Sequence, residues 1–405
     1  MSALTTRIVI IGASIAGVNV AKMLRKQNFE GQITVIDQQS ELPYDLLPLS
    51  KEWMLDTENV NPPLLSKKDF YKENEITLKL NTTIERLDPT TKTIYTAENE
   101  AISYDKLVIA IGSVLRKLDV PGKDATGIFY LRDFQQATQI KQSAQTAKDV
   151  VIVGAGFIGL ELASTFSQLG LNVTVLERSA APLKRILGEE ASNYFSKMHQ
   201  SHDVNILTNE EVQQFIQDNN GKVSAVMTKT GKNIPCDLAI VGIGVVPNTS
   251  ISHPDLAFDR GIIVNEYGET SISDVYAAGD CTIWPYQDKQ LHIEHWEHAY
   301  HHGRTIAKNL MNEKSHPYQV RPYFWTDEYD QTFEYLGHAV DGHKTIIRGS
   351  LEERQFTIAY VDENNVPLAI LFANEGDKRK DVAAFMDEKK PIDEERFKNM
   401  EVPLG

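Results

Sequence analysis

Within IEHWEHAYHHG, Ile293 to Gly303, four histidines and two glutamates share eleven residues. Glu294, His298 and His302 are spaced by four, so on a helix they share one face, a spacing that can build a metal site. Two other segments offer a different chemistry. Gly12, Ser14, Ala16 and Gly17 in IGASIAG, and Gly154, Gly156, Phe157, Ile158 and Gly159 in GAGFIGLELA, have the spacing of turns that cradle a dinucleotide pyrophosphate. Each turn is followed by a carboxylate, Asp37 and Glu177, placed to accept hydrogen bonds from a ribose hydroxyl.

These residues need strands and helices to position them. RIVIIGASIAGVNVAKMLRK reads as an apolar strand over Ile8 to Ile11, a glycine turn and an amphipathic helix to about Lys26. A second strand, Ile33 to Ile36, ends at Asp37. The segment DVVIVGAGFIGLELASTFSQLGLNVTVLER repeats the pattern and ends at Glu177. The first glycine of each turn permits a tight bend, and the last lets helix and strand pack closely. In the N-terminal copy the middle glycine is Ser14. One such turn is weak evidence of a nucleotide site, whereas two, each with its acidic residue, predict a pair of dinucleotides, FAD and a nicotinamide. Glu177 would repel a 2′-phosphate, so NADH is expected in preference to NADPH, although Arg178, Lys184 and Arg185 stand nearby.

The bulk properties narrow the class. A chain of 405 residues favours two or three domains. A net charge of -15 disfavours nucleic acid as a partner, because phosphate binding needs clustered Lys and Arg. Two cysteines, Cys236 and Cys281, make neither a disulfide framework nor a zinc motif. No apolar run reaches bilayer length, and the expected location is cytoplasmic.

Between and after the turns stand YDKLVIAIGS, CDLAIVGIGVVPNT and TSISDVYAAGDC. Their order resembles the FAD-dependent pyridine-nucleotide oxidoreductases of the glutathione-reductase-like superfamily. PYDLLPLSKEWM, GAGFIGLELA, VGIGVVPN, IEHWEHAYHHG and PYFWTDEYD narrow the resemblance to oxygenase-coupled NADH-dependent ferredoxin and rubredoxin reductases. The resemblance implies an α/β fold with two Rossmann-like dinucleotide-binding domains and a small C-terminal α/β domain. An FAD domain would comprise 1–114 and 246–320, an NAD(H) domain 115–245, and the C-terminal domain 321–405. In the tail, IIRGSLEERQFTIAYVDENNVPLAILF alternates as strands, with VDENN as a turn, and KRKDVAAFMDEKK reads as a short surface helix.

The same resemblance assigns roles. Asp280 would hydrogen-bond the flavin ribityl chain, and Ala110 and Gly112 would lie in the FAD site. Glu294 and Trp296 would begin a helix aimed at the flavin pyrimidine, leaving the histidines at 295, 298, 301 and 302 without a family role and the site without a metal. Lys51 and Glu161, the latter in the first turn of its helix, would pair beside the flavin as the catalytic residues. Taken singly, each reads as a solvated lysine or a helix-terminus glutamate. Gly244 would face the NAD, Phe157 would gate the nicotinamide or pack in the core, and Trp325 would stand near the flavin edge. Pro43 to Leu55 lacks the cysteine pair of disulfide reductases. Leu46 and Leu47 replace residues of the usual motif, and an arginine that could contact FAD is thereby absent.

The expected function is therefore transfer of hydride from NADH to FAD and of single electrons to a small iron–sulfur protein, ferredoxin or rubredoxin. Arg304, Lys308, Lys314, Arg321 and Arg348 are candidate docking residues for it. An NADH oxidase or quinone reductase, or an NADH-sensing flavoprotein like apoptosis-inducing factor, are the alternatives. Monomer and homodimer are both compatible with the sequence.

Overall fold

The computed structural model describes residues 6–312, 314–339, 344–375 and 378–403. The chain forms two compact units. The first comprises Met1–Asp45, Asn61–Val114 and Val245–Pro322, and the second Leu46–Val60, Leu115–Gly244 and Tyr323–Gly405.

The first unit is built on a five-stranded parallel sheet in the order Val275–Ala277, Lys106–Ile109, Arg7–Ile11, Gln32–Ile36, Ile76–Lys79. Ile8, Val9, Ile10 and Ile11 are all buried, as a central strand covered on both faces requires. Helices Ile15–Lys26 and Trp296–Met311 pack against each other beside this sheet. The contact is close because Gly303 has no side chain: a Cβ there would stand 2.3 Å from the Ala16 carbonyl oxygen.

The second unit repeats the architecture. Its parallel sheet runs Asn205–Thr208, Asn172–Glu177, Asp149–Val153, Leu238–Val241, Ile128–Phe129. The same unit carries a five-stranded antiparallel sheet in the order Tyr323–Glu328, Gln331–Gly337, Pro367–Ala373, Gln355–Val361, Lys344–Ser350. The VDENN turn joins two of these strands. Asp362 accepts the amides of Asn364 and Val366, and Asn365 takes a left-handed conformation. The short helix Arg379–Asp387 buries Val382 and Met386 on its inner face.

Candidate functional site

Each glycine turn is a steric necessity. Gly12 has φ +108°, and a Cβ there would meet the Ala110 carbonyl oxygen at 2.1 Å; Gly154 has φ +105°, with the Gly242 carbonyl oxygen at 2.4 Å. Helices Ile15–Lys26 and Phe157–Gln168 then begin with no side-chain cap and no acid in the first turn. Their first amides and positive dipole ends therefore suit a pyrophosphate. At the end of the second strand of each motif, Asp37 accepts the Ala13 amide at 2.5 Å and Glu177 the Ala155 amide at 2.9 Å. Burial raises the Asp37 carboxyl above its ordinary pKa, against the pull of the Ala13 and Gln39 amides.

In the first unit the AAGDC turn brings Asp280 to Ser113, whose Oγ donates at 3.2 Å. Ala110 donates its amide to Ile11, and the Gly112 carbonyl accepts from Asn248. Ala16 is buried against Gly279 and Gly303. Helix Trp296–Met311 starts where IEHWEHAYHHG places it, with His295 as N-cap. Trp296 donates its indole N–H to both oxygens of Asp45 at 3.2 Å and stacks on Tyr300. Glu294 lies 3.5 Å from His292.

Two of the four histidines have a packing role. His298 and His302 are 3% and 1% exposed and form one aromatic cluster with Trp284 and Tyr318. His298 Nδ1 meets the Tyr318 hydroxyl at 3.0 Å, and the Gly279 amide donates to His302 Nδ1 at 3.3 Å. Burial disfavours their charged forms: His298 is held well below the usual histidine range and His302 is pushed down to about 3. Among the described residues no group of three or more His, Cys, Asp or Glu could hold a metal ion.

In the second unit Leu47–Ser50 makes a turn of 3₁₀ helix, and Lys51 caps the short helix Glu52–Leu55. Lys141 anchors this segment by donating to the carbonyls of Trp53 and Asn59, each at 2.7 Å, with its ammonium 3.9 Å from the Trp53 ring centroid. Lys51 Nζ thereby reaches Glu161 Oε1 at 3.1 Å and Asp327 Oδ2 at 3.2 Å. Glu161 is the fifth residue of its helix, one place beyond the first turn expected for it, because the helix begins at Phe157 behind Gly156. Its other neighbours are Ser50, donating at 2.6 Å, and Thr326, donating at 2.8 Å. The Ser50 carbonyl in turn accepts from Thr165.

Burial opposes charge on both members of the pair. For Lys51 the facing carboxylates outweigh it, so the ammonium is favoured above the ordinary lysine value. Burial pushes Glu161 up, against Lys51 and the two hydroxyls. Three donors converge on its two oxygens, the environment of an ionised acceptor, and a buried ammonium beside it would otherwise be uncompensated.

Of the other expected residues, Phe157, Ile158, Gly244, Trp325 and Arg348 belong to the second unit. Phe157 packs on Phe324, with ring centroids 4.7 Å apart, whereas Ile158 is exposed. Gly244 has φ +93°, and its carbonyl accepts the Arg116 amide. Trp325 is half-buried beside Tyr323. Arg348 is not a surface cation: it is 5% exposed and donates to the carbonyls of Phe397, Asn399 and Val402. A β-strand residue facing the tail was indistinguishable in sequence from one facing solvent. Sequence reading also missed Ser50, Thr326, Asp327, Asp45, Ser113 and Lys141. Thr326 and Asp327 stand in the PYFWTDEYD motif, but no local signal connects them to Lys51.

Two dinucleotide turns on two parallel sheets, with a buried lysine held between carboxylates, define an oxidoreductase that uses two nucleotides. The chain belongs to the pyridine nucleotide-disulphide oxidoreductase family, which matches residues 6–303, and residues 323–405 match the reductase C-terminal family. That membership implies FAD and a pyridine nucleotide. The chain is 33% identical to rhodocoxin reductase of Rhodococcus erythropolis, over 87% of this chain and 82% of that protein. It is 31% identical to the 5,5'-dehydrodivanillate O-demethylase ferredoxin reductase subunit of Sphingobium sp., over 98% and 96%. Its fold matches the crystal structure of the covalent putidaredoxin reductase–putidaredoxin complex with a TM-score of 0.94 and 29% identity, covering 99% of this chain and 97% of that one. Among the described residues no helix is long and apolar enough to cross a membrane.

Proposed function

We propose that this protein takes hydride from NADH onto FAD and passes the electrons singly to a small iron–sulfur protein of the ferredoxin or rubredoxin type. The observation that carries the reading is the Lys51–Glu161 pair, at 3.1 Å, in a chain with two dinucleotide turns and no dithiol. Both cysteines are free and buried, and burial pushes each thiol up to about 12, so neither supplies a thiolate at neutral pH. Electrons must therefore leave the flavin for an external acceptor. A relative that is a ferredoxin reductase subunit and a neighbour in covalent complex with putidaredoxin support a protein of that kind as the acceptor.

Bound FAD supplies the exchange between two-electron and one-electron chemistry. In this reading residues 1–114 and 246–320 bind FAD, 115–245 bind NADH, and 321–405 form the C-terminal domain. Gly12, Ser14, Ala16 and Gly17 hold the FAD pyrophosphate and Asp37 its ribose. Ala110, Gly112 and Asp280 line the flavin side, and Glu294 and Trp296 set the helix end that stabilises negative charge. Lys51 would offer its ammonium to the flavin, with Glu161 as counter-charge, and Trp325 would help to line the flavin site. Gly154, Gly156, Phe157, Ile158, Gly159 and Gly244 bind the nicotinamide nucleotide.

NADH is preferred because Glu177, held by the amides of Ala155 and Ser179, would meet a 2′-phosphate with like charge. Of the cations close by, Lys184 is paired with Glu189 at 3.5 Å. Arg304, Lys308 and Arg321 remain the docking candidates, and Lys314 lies 3.8 Å from Glu269.

Anaerobic stopped-flow mixing with NADH, followed by parallel assays with ferredoxin, rubredoxin, quinone and oxygen, tests the reading. Rapid flavin reduction with turnover on an iron–sulfur protein is expected. Rapid reduction followed by turnover on oxygen or quinone alone would replace it.

A further inference from the structure

Lys51 stands between two unlike carboxylates. Glu161 is closed: its side chain is 8% exposed, and its oxygens are shared among Lys51, Ser50 and Thr326. Asp327 is open. It touches the same ammonium at 3.2 Å, yet 44% of its side chain is accessible. Its other oxygen accepts from Thr332 Oγ1 at 2.7 Å, which fixes the carboxylate plane. A single carboxylate thus bridges a buried ammonium and bulk water.

The stoichiometry of the proposed reaction leaves a proton that such a bridge can carry. A hydride is two electrons and a proton, so once two one-electron acceptors have been reduced, one proton remains to be released. Resting on the function proposed above, we propose that Asp327 is the outlet for that proton. Lys51, an ammonium with no lone pair of its own, first gives a proton to Asp327 at 3.2 Å, and the amine so formed takes the remaining proton, ending as the ammonium it began as. Asp327 then protonates water and returns to the carboxylate. The sum is NADH and two oxidised acceptors giving NAD+, two reduced acceptors and one proton.

A buried alternative exists, and its geometry is poorer. Thr326 Oγ1, which donates to Glu161, lies 3.4 Å from Glu328 Oε1. Glu328 meets His199 Nε2 at 2.7 Å, and His199 Nδ1 meets the Tyr329 hydroxyl at 2.9 Å. This file needs several successive transfers across a 3.4 Å gap, beyond the usual range for O–H···O bonds, whereas the Asp327 route needs one transfer before solvent.

The test uses the flavin-loaded protein and Asp327→Asn, which keeps the side chain's size and can still accept from Thr332 but cannot carry an acid proton. One equivalent of NADH reduces the protein under anaerobic conditions. Mixing with ferricyanide, a one-electron oxidant that takes no proton, then follows electrons by ferricyanide absorbance and protons by an indicator dye in weak buffer. In the wild type the proton should appear in the same phase as the electrons. In D327N it should lag by about tenfold or more, added formate should shorten the lag, and Asp327→Glu should restore the wild-type phase. Proton release in D327N without a lag overturns the proposal, as does a lag that appears in Glu328→Gln instead. Failure of NADH to reduce the flavin would strike only the hydride reading, since dithionite-reduced protein carries the same proton and allows the same measurement.

Discussion

At the first glycine of each nucleotide turn the backbone is nearly the same. Gly12 and Gly154 have φ of +108° and +105°, and their amides donate to Ile36 and Leu176 at 2.7 and 2.8 Å. The last glycines also agree: a Cβ at Gly17 or Gly159 would stand 1.9 or 2.1 Å from the carbonyl oxygen of Gly12 or Gly154. The middle position differs. It is Ser14 in the first unit and Gly156 in the second, and a Cβ at Gly156 would meet nothing within 4 Å. The outer glycines are demanded by the protein's own backbone, and the middle one is not. A requirement for glycine at 156 can come only from a ligand that approaches the backbone there.

The largest expected effects come from the outer glycines. Gly12→Ala forces a Cβ against the Ala110 carbonyl at a left-handed φ and should cost roughly 2–4 kcal/mol. The purified variant should lack the visible flavin spectrum. Gly154→Ala should instead keep that spectrum and lose reduction by NADH. Loss of flavin from both would end the assignment of one nucleotide to each turn.

Next come the two carboxylates on Lys51. Glu161→Gln leaves the buried ammonium with one charged partner and should destabilise the fold by about 3 kcal/mol in thermal or denaturant unfolding. Asp327→Asn, at the accessible partner, should cost less than about 1 kcal/mol. Gly156→Ser, which copies the first turn into the second, should change stability by less than about 0.5 kcal/mol. It should nevertheless raise the KM for NADH by about tenfold, a value read from steady-state assays. An unchanged KM would mean that no ligand crowds Gly156.

The last effect grows only in acid and concerns the histidine cluster of the first unit. Folded His302 is pushed down to about 3, against about 6.5 in an unfolded chain. Above about pH 6.5 both states are neutral there and nothing is lost. Below it the unfolded chain binds a proton that the folded chain refuses, so stability falls as pH drops toward about 3. His302→Leu should cost about 1 kcal/mol at pH 8, through the lost Gly279 hydrogen bond, and should flatten part of the acid slope of Tm.

Much of this protein was legible because its requirements are local. Strand, glycine, helix, strand and acid occupy about thirty consecutive residues, and Gly12, Gly17, Gly154 and Gly159 are enforced by atoms of that segment or of a neighbouring strand. The histidine-rich helix was legible as a helix, yet its purpose was not. His298 and His302 share a face that fits a metal in sequence and is filled by Trp284 and Tyr318 in the fold. Arg348 shows the same limit, since its carbonyl acceptors lie 49 to 54 residues further along the chain.

The sequence alone determined the two nucleotide turns, their acidic partners and the lack of a dithiol, because those depend on residue type and short spacing. Only the tertiary structure decided what surrounds Lys51. Glu161 lies 110 residues from it and Asp327 lies 276, and nothing local marks one as closed and the other as open to water. That difference arises from packing: the helix behind Gly156 buries one carboxylate, and the edge of an antiparallel sheet presents the other.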